Sequence, residues 1–224
     1  AAAAATNVIP ILFTGVGDSI ESKLVKSLSH PAGNATGLTN QSADLTVKLL
    51  DLLRETVPRM KVVAYMYNPS NAANLANLRR LEAKCSELKL VCVRAPVASE
   101  TDVATAFSAI KTAKVQGLII SGANNIGSWR NPILENIAAL KLPAISASGP
   151  FTDAGGMISY ATNAPAQHYR LALYVDKIIK GVKPGDLPVE QPTKFDLVVN
   201  QKAARAIGIK IPDSILLRAD RVIE

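Results

Sequence analysis

At 224 residues, 48% of them apolar and 19% charged, the chain is long enough to bury a sizeable core and too hydrophobic to remain unfolded. Its net charge of +7 is scattered over lysines and arginines of separate segments, and aromatics make up only 4%, which argues against a nucleic-acid surface built on base stacking. Two cysteines, Cys85 and Cys92, are too few for a disulfide scaffold and read as two buried free thiols, and no apolar run nears the ~20 residues of a membrane helix.

The opening AAAAATNVIPILF has no basic segment ahead of an apolar one, so no signal peptide is legible in it. Val8 to Phe13 reads as a strand, and TGVGDS then leads into an amphipathic helix over 19–28, stopped by His30-Pro31. Leu45, Leu49, Leu52 and Leu53 give a helix over 44–57, ended by Pro58. A strand over 61–67, a helix capped by NPSNAAN, a strand over 90–95, a helix over 100–113 and a strand over 117–121 follow. Then come a helix over 132–140, strands over 143–146 and 156–160, a helix over 165–180, a strand over 195–199 and a short helix over 201–207. Strands alternating with helices through short connections predict an α/β protein whose mostly parallel sheet carries helices on both faces.

In such sheets ligands sit beyond the carboxyl ends of the strands. The segments there are TGVGDS, NPSN, SGANN, SASG and ATN, which form a rim of hydroxyls and amides with no conspicuous reactive group. The rim candidates are Thr14, Asp18, Asn68, Ser70, Asn71, Ser121, Asn124, Asn125, Ser146, Ser148 and Asn163. There is no Gly-x-Ser-x-Gly elbow, no phosphate-loop lysine and no His/Cys cluster with metal spacing, so neither a catalytic residue nor a metal or other cofactor is expected. His30 and His168 read as surface or packing residues, and Trp129 as a packing anchor or a stacking surface. Asp18 reads either as a helix cap or as a lone base; the second would make the chain a small-molecule enzyme.

Binding without turnover suits the rim better, and closure around a ligand needs chain crossings between two lobes. LPVEQPTKFDLVV is stiff and extended because Pro188 and Pro192 bracket it, and GNATGL and LPAISAS have the composition of two further crossings. The hinge candidates are Thr36, Gly37, Pro143, Pro188 and Gln191. The expected division is 1–37 in the first lobe, 38–142 in the second, 143–187 back in the first and 188–224 again in the second.

The segments IPILFTGVGDSIESKLVKSLSHPAGNATGLT, RMKVVAYMYNPSN, LPAISASGPFTDAGGMISYATN and GDLPVEQPTKFDLVVNQKAARAIGIKIP, in this order, resemble the ABC transporter substrate-binding proteins of tryptophan/tyrosine type. The resemblance implies a type I periplasmic binding fold of two Rossmann-like lobes, with a small amino-acid-like ligand in the cleft and delivery to a membrane permease outside the cytoplasm. It also implies a first lobe lacking its initial strands, hence a fragment, or a lobe completed by a second copy; a complete chain would be a monomer. By the same resemblance, Asn68, Ser70 and Asn71 would receive a ligand carboxylate at a helix N-terminus. Asn124, Asn125 and Asn163 stand where many members carry acidic residues, which removes negative charge for a ligand ammonium and admits neutral amides or aromatic acids. The effector domain of a transcription regulator shares this fold and is the other alternative.

Overall fold

The structure, a computed structural model, describes residues 2–16, 19–20, 23–39, 45–122, 124–192 and 194–224, with backbone alone at 124 and 125. In chain order its elements begin with α1 (Ala2–Ala5), β1 (Ile11–Val16), β2 (Ala35–Thr39), α2 (Leu45–Thr56), β3 (Val62–Tyr67), α3 (Ala72–Glu87) and β4 (Val91–Pro96). Next are α4 (Thr101–Thr112), β5 (Gly117–Ile120), α5 (Asn124–Ser128), α6 (Arg130–Leu140), β6 (Ala144–Ser146) and α7 (Gly149–Asp153). The last are β7 (Ile158–Thr162), α8 (Ala164–Ile179), β8 (Phe195–Asn200), α9 (Gln201–Ala206), α10 (Asp213–Leu216) and β9 (Arg221–Ile223). They fall into two units, one made of Ala1–Ser42 and Thr162–Phe195, the other of Ala43–Ala161 and Asp196–Glu224.

The second unit is built on a seven-stranded sheet in the order β4-β3-β5-β6-β7-β8-β9. The pairs β3–β4, β3–β5, β5–β6, β6–β7 and β8–β9 are parallel. A strand covered on both faces has no reason to alternate apolar with polar residues, and VVAYMY of β3 is apolar throughout. Its Ala64 and Met66 join Leu118, Ile120 and Ala144 in a core with Phe107 and Ile110 of α4, Ile126 of α5, Ile133 and Ile137 of α6, and Phe151 of α7. The intervening Val63, Tyr65 and Ile119 are buried too, and α2 and α3 pack together against strands β4 to β6 through residues such as Leu49, Leu53, Leu81 and Cys85. Each such leucine removed from water contributes about 2 kcal/mol, which is why this helix pair holds its place.

In the first unit β1 and β2 pair in parallel, with Phe13 opposite Gly37. A side chain at Gly37 would put its Cβ 2.0 Å from the Phe13 carbonyl oxygen, so only glycine lets the strands approach this closely. Glu190 extends the pairing by a single parallel bridge to Leu38: its N–H donates to the Gly37 carbonyl (3.0 Å) and its own carbonyl accepts from Thr39 N (3.0 Å). The prolines of LPVEQP therefore flank a bridge laid along β2, at positions where no ladder donor is needed. Tyr174 of α8 donates its hydroxyl to the Pro188 carbonyl (2.7 Å), and Arg170 grips Glu190 through two N–H donors at 2.6 and 2.8 Å. Phe13, Val25, Ala35 and Val189 are the buried centre of this unit.

Three expectations are corrected. Residues 143–161 do not belong to the first unit, because β6 pairs with β5 (Leu118 opposite Ala144) and β7 with β6, inside the large sheet. GNATGL, read as a crossing between lobes, runs into strand β2, whose five residues are all buried, and LPAISAS contains β6 rather than a hinge. The helix expected over 19–28 is absent among the described residues: Leu24 N and Val25 N both turn back to the Ser19 carbonyl, and Lys23 takes a left-handed φ of 57°. This wrap delivers Leu24, Val25 and Leu28 to the Phe13 cluster.

Candidate functional site

A parallel strand delivers its chain to the carboxyl edge of the sheet, and the residue after it starts a turn whose backbone groups no ladder satisfies. In the second unit β3, β5 and β6 are adjacent, so Asn68, Ser121 and Ser146 share that edge. After β3 the polar side chains serve their own turn. Asn68 Oδ1 accepts from Ser70 N (2.9 Å), Asn71 Oδ1 caps α3 by accepting from Asn74 N (3.2 Å), and Asn74 Oδ1 accepts from Asn68 N (3.0 Å). These contacts rigidify the start of α3.

After β5 and β6 the arrangement differs. Ser121, Ser146 and Ser148 line a small pocket of about 20 Å³, room for about one water-sized group, together with Ile120, Ile126, Gly127, Arg130, Ile133 and Phe151. Ser146 Oγ accepts from Ser148 N at 3.1 Å, which fixes the turn into α7. The hydroxyl of Ser121 and the Nε of Arg130 are buried and have no protein partner. A buried polar atom left in this state costs on the order of 1–3 kcal/mol, so two beside one pocket mark a place where a ligand oxygen would be welcomed. Ile126, Ile133 and Phe151 belong to the core and give the same pocket an apolar wall. A guanidinium N–H and a hydroxyl next to apolar carbon suit a carboxylate attached to a hydrophobic body. Arg130 and Phe151 escaped the sequence reading because neither follows a strand directly; the first turn of α6 has to fold over β5 and β6 to bring Arg130 in. Trp129 packs against the core, which answers its ambiguity in favour of anchoring.

In the first unit Thr14, within β1, donates its hydroxyl to Gln167 Oε1 (2.9 Å), and Gln167 Nε2 donates to the Thr39 carbonyl (3.1 Å). Gln167, which the sequence reading passed over, thus ties β1 and β2 to α8. Asn163 caps α8 by accepting from Ala166 N (2.9 Å). Asp18 and the side chains of Asn124 and Asn125 lie outside the described residues. Of the hinge candidates, Thr36 is buried in β2 and donates to the Leu187 carbonyl (2.7 Å), and Gly37, Pro188 and Gln191 are also inside the first unit. Pro143 lies within the second unit, its carbonyl accepting from Leu118 N (2.9 Å), rather than at a passage between units.

A broader, more open depression sits beside α9 and α10, lined by Arg205, Lys210, Asp213 and neighbours, with no buried unpartnered polar side-chain atom among its lining residues. Among the described residues no group of His, Cys, Asp or Glu is placed to hold a metal, and no helix is long and apolar enough to cross a membrane.

The chain is 26% identical over 208 residues to a tyrosine-binding protein of Clostridioides difficile, covering 92% of this chain and 59% of that protein, so it spans under two thirds of the relative's length. A conserved domain protein of Vibrio cholerae superposes with a TM-score of 0.91 at 30% identity, over 98% of this chain and 73% of the other. The ABC domain of Streptococcus pneumonia in complex with L-Trp superposes with a TM-score of 0.90 at 25% identity, over 99% of this chain and 76% of the other. The model of the family described as ABC transporter substrate binding protein matches residues 1–223, and the chain belongs to that family.

Proposed function

We propose that the protein is the extracytoplasmic substrate-binding component of an ABC importer, taking an amino-acid-like carboxylate with an aromatic or other apolar body and passing it to a membrane permease. The observation that carries this reading is the pocket after β5 and β6, where Ser121 Oγ and Arg130 Nε are buried without partners beside Ile126, Ile133 and Phe151. One carboxylate oxygen of the ligand fits this small space and accepts from both donors. The relatives named for tyrosine and bound to L-Trp support the aromatic class. Family membership supports binding without turnover, and the enzyme and regulator alternatives are not favoured.

Isothermal titration calorimetry with L-tryptophan, L-tyrosine and tryptophan amide tests the reading. The free acids bind, and the amide, which cannot offer a carboxylate, binds at least about 10-fold more weakly. Equal affinity for acid and amide would refute the carboxylate assignment, and binding of neither would refute the ligand class.

A further inference from the structure

We propose that Cys85 and Cys92 form a dithiol–disulfide pair, a covalent modification site that fastens the end of α3 to the edge strand β4. Helix α3 and strand β4 are joined by a sharp reversal: Leu88 N donates to the Lys84 carbonyl, Lys89 adopts a left-handed φ of 56°, and Leu90 N donates to the Cys85 carbonyl at 2.8 Å. The reversal lays β4 antiparallel along the helix, so the two elements face each other in rungs. On one rung Arg94 grips Glu82 through Nε and NH2, at 2.6 and 3.0 Å. The next rung lies one helical turn on, at Cys85, and two strand residues back, at Cys92. Both steps keep to the facing sides, because helix neighbours repeat every three to four residues and strand neighbours every two. The two thiols lie within hydrogen-bonding reach of one another, with Glu82, Arg54 and Arg94 as the charged groups around them.

Access favours the same conclusion. Cys85 is buried, but Cys92 is only partly so, because β4 is the outermost strand of its sheet. The shared hydrogen bond holds the Cys85 thiol below its ordinary pKa and pushes that of Cys92 up; the two sulfurs thus titrate as one unit. With a small-molecule disulfide as oxidant, the pair first gives one proton to solvent; when the proton that remains passes from Cys92 to Cys85, the more accessible Cys92 sulfur is the thiolate, attacks one sulfur of the small disulfide and releases one thiolate, leaving a mixed disulfide on Cys92. Cys85 then loses its proton to solvent, attacks Cys92 Sγ and displaces the second thiol. Two protein thiols become one disulfide, and the small disulfide is reduced to two thiols, so electrons and protons balance.

The test is to equilibrate the protein with mixtures of reduced and oxidised glutathione, quench, alkylate under denaturing conditions and weigh it intact. The expected product is a monomer lighter by two hydrogens and carrying no alkyl group, with Cys85 and Cys92 in one cross-linked peptide. Its melting temperature rises by about 5 °C, because the link closes a short loop in the unfolded chain, and dithiothreitol reverses the change. The C85S variant stops at a glutathione adduct on Cys92. Wild-type protein that keeps both thiols at ratios oxidising an unstructured dithiol peptide, ends as a stable Cys92 adduct, or cross-links only between molecules would overturn the proposal.

Discussion

Replacing Arg130 by methionine separates a ligand-binding role from a structural one, because the two roles predict opposite changes. Methionine keeps much of the apolar stem against Ile133 and the pocket wall and removes the guanidinium whose Nε is buried without a protein partner. If that atom awaits a ligand, the empty protein gains: removing a half-buried residue's unpaired donor relieves about 1 kcal/mol, a rise in melting temperature of ~2–4 °C for a chain of this size. The liganded protein loses a hydrogen bond to a charged acceptor, worth roughly 1.5–3 kcal/mol, which is roughly a 10- to 150-fold fall in affinity. Scanning calorimetry without ligand reads the first quantity, and titration calorimetry with L-tryptophan reads the second. An Arg130→Met protein that melts several degrees lower and binds within about twofold of wild type would show that Arg130 is structural, and the pocket would lose its carboxylate donor. Ser121→Ala follows the same logic with smaller steps, since its hydroxyl is equally buried and unpartnered.

Other perturbations test the first unit. Gly37→Ala drives a methyl group onto the Phe13 carbonyl, with backbone on both sides and no flexible side chain to yield; we expect at least ~2 kcal/mol of destabilisation by urea unfolding, and a neutral result would contradict the closeness of β1 and β2. Tyr174→Phe strips the Pro188 carbonyl of its 2.7 Å donor at a buried site, and calorimetry should register a loss of about 1–2 kcal/mol. Arg170, by its hydrogen bond, holds the Glu190 carboxyl below its ordinary value, and the Ser214 hydroxyl does the same for Glu55, ahead of Arg218. A carboxyl whose pKa is lower in the folded state stabilises the fold at pH above its unfolded value near 4.5, and the benefit disappears as pH falls through the folded value. Stability should therefore decline on acidification below about pH 4.5, and Glu190→Gln should flatten that decline; an unchanged acid profile in the variant would remove Glu190 from the account.

How far the residues alone foretell the molecule depends on whether a segment's neighbours are local or distant. VVAYMY announces a strand buried on both faces, and the leucines of α2 announce a helix, because burial imprints a period on the segment itself. The seryl rim was legible for a related reason: Ser121 follows one apolar strand and Ser146 ends another, and in a parallel sheet the end of a strand is already an address. ATGLT carried no such imprint. Threonine and glycine look like loop, and the need for glycine comes from the Phe13 carbonyl, which is 24 residues away in the chain and 2.0 Å from where a Cβ would stand. Residues 19–28 erred in the other direction, since Leu24, Val25 and Leu28 have helical spacing, yet a backbone wrapped on Ser19 brings the same three side chains to the Phe13 cluster. Periodicity records which side chains are buried together and leaves open the backbone that buries them.

The distinction extends to chemistry. Asn68 and Asn71 looked like ligand groups because amides at the end of a strand are suited to that task, but their oxygens satisfy the turn that begins α3. Arg130 stands just ahead of the helix expected over 132–140 and carried no signal in the sequence, yet its Nε is buried without a hydrogen-bond partner among the described residues. What distinguishes a binding residue from a turn-former of the same type is whether its hydrogen-bonding capacity is already spent, and that depends on partners which the sequence does not place side by side. Asn68 and Asn71 spend their oxygens on the turn and keep their amide N–H groups, whereas the buried atoms of Ser121 and Arg130 have no protein partner, so a ligand oxygen would add most to stability there. A protein that leaves donors unpaired when empty is less stable empty than it need be, and the same donors are what make its affinity for a matching anion large.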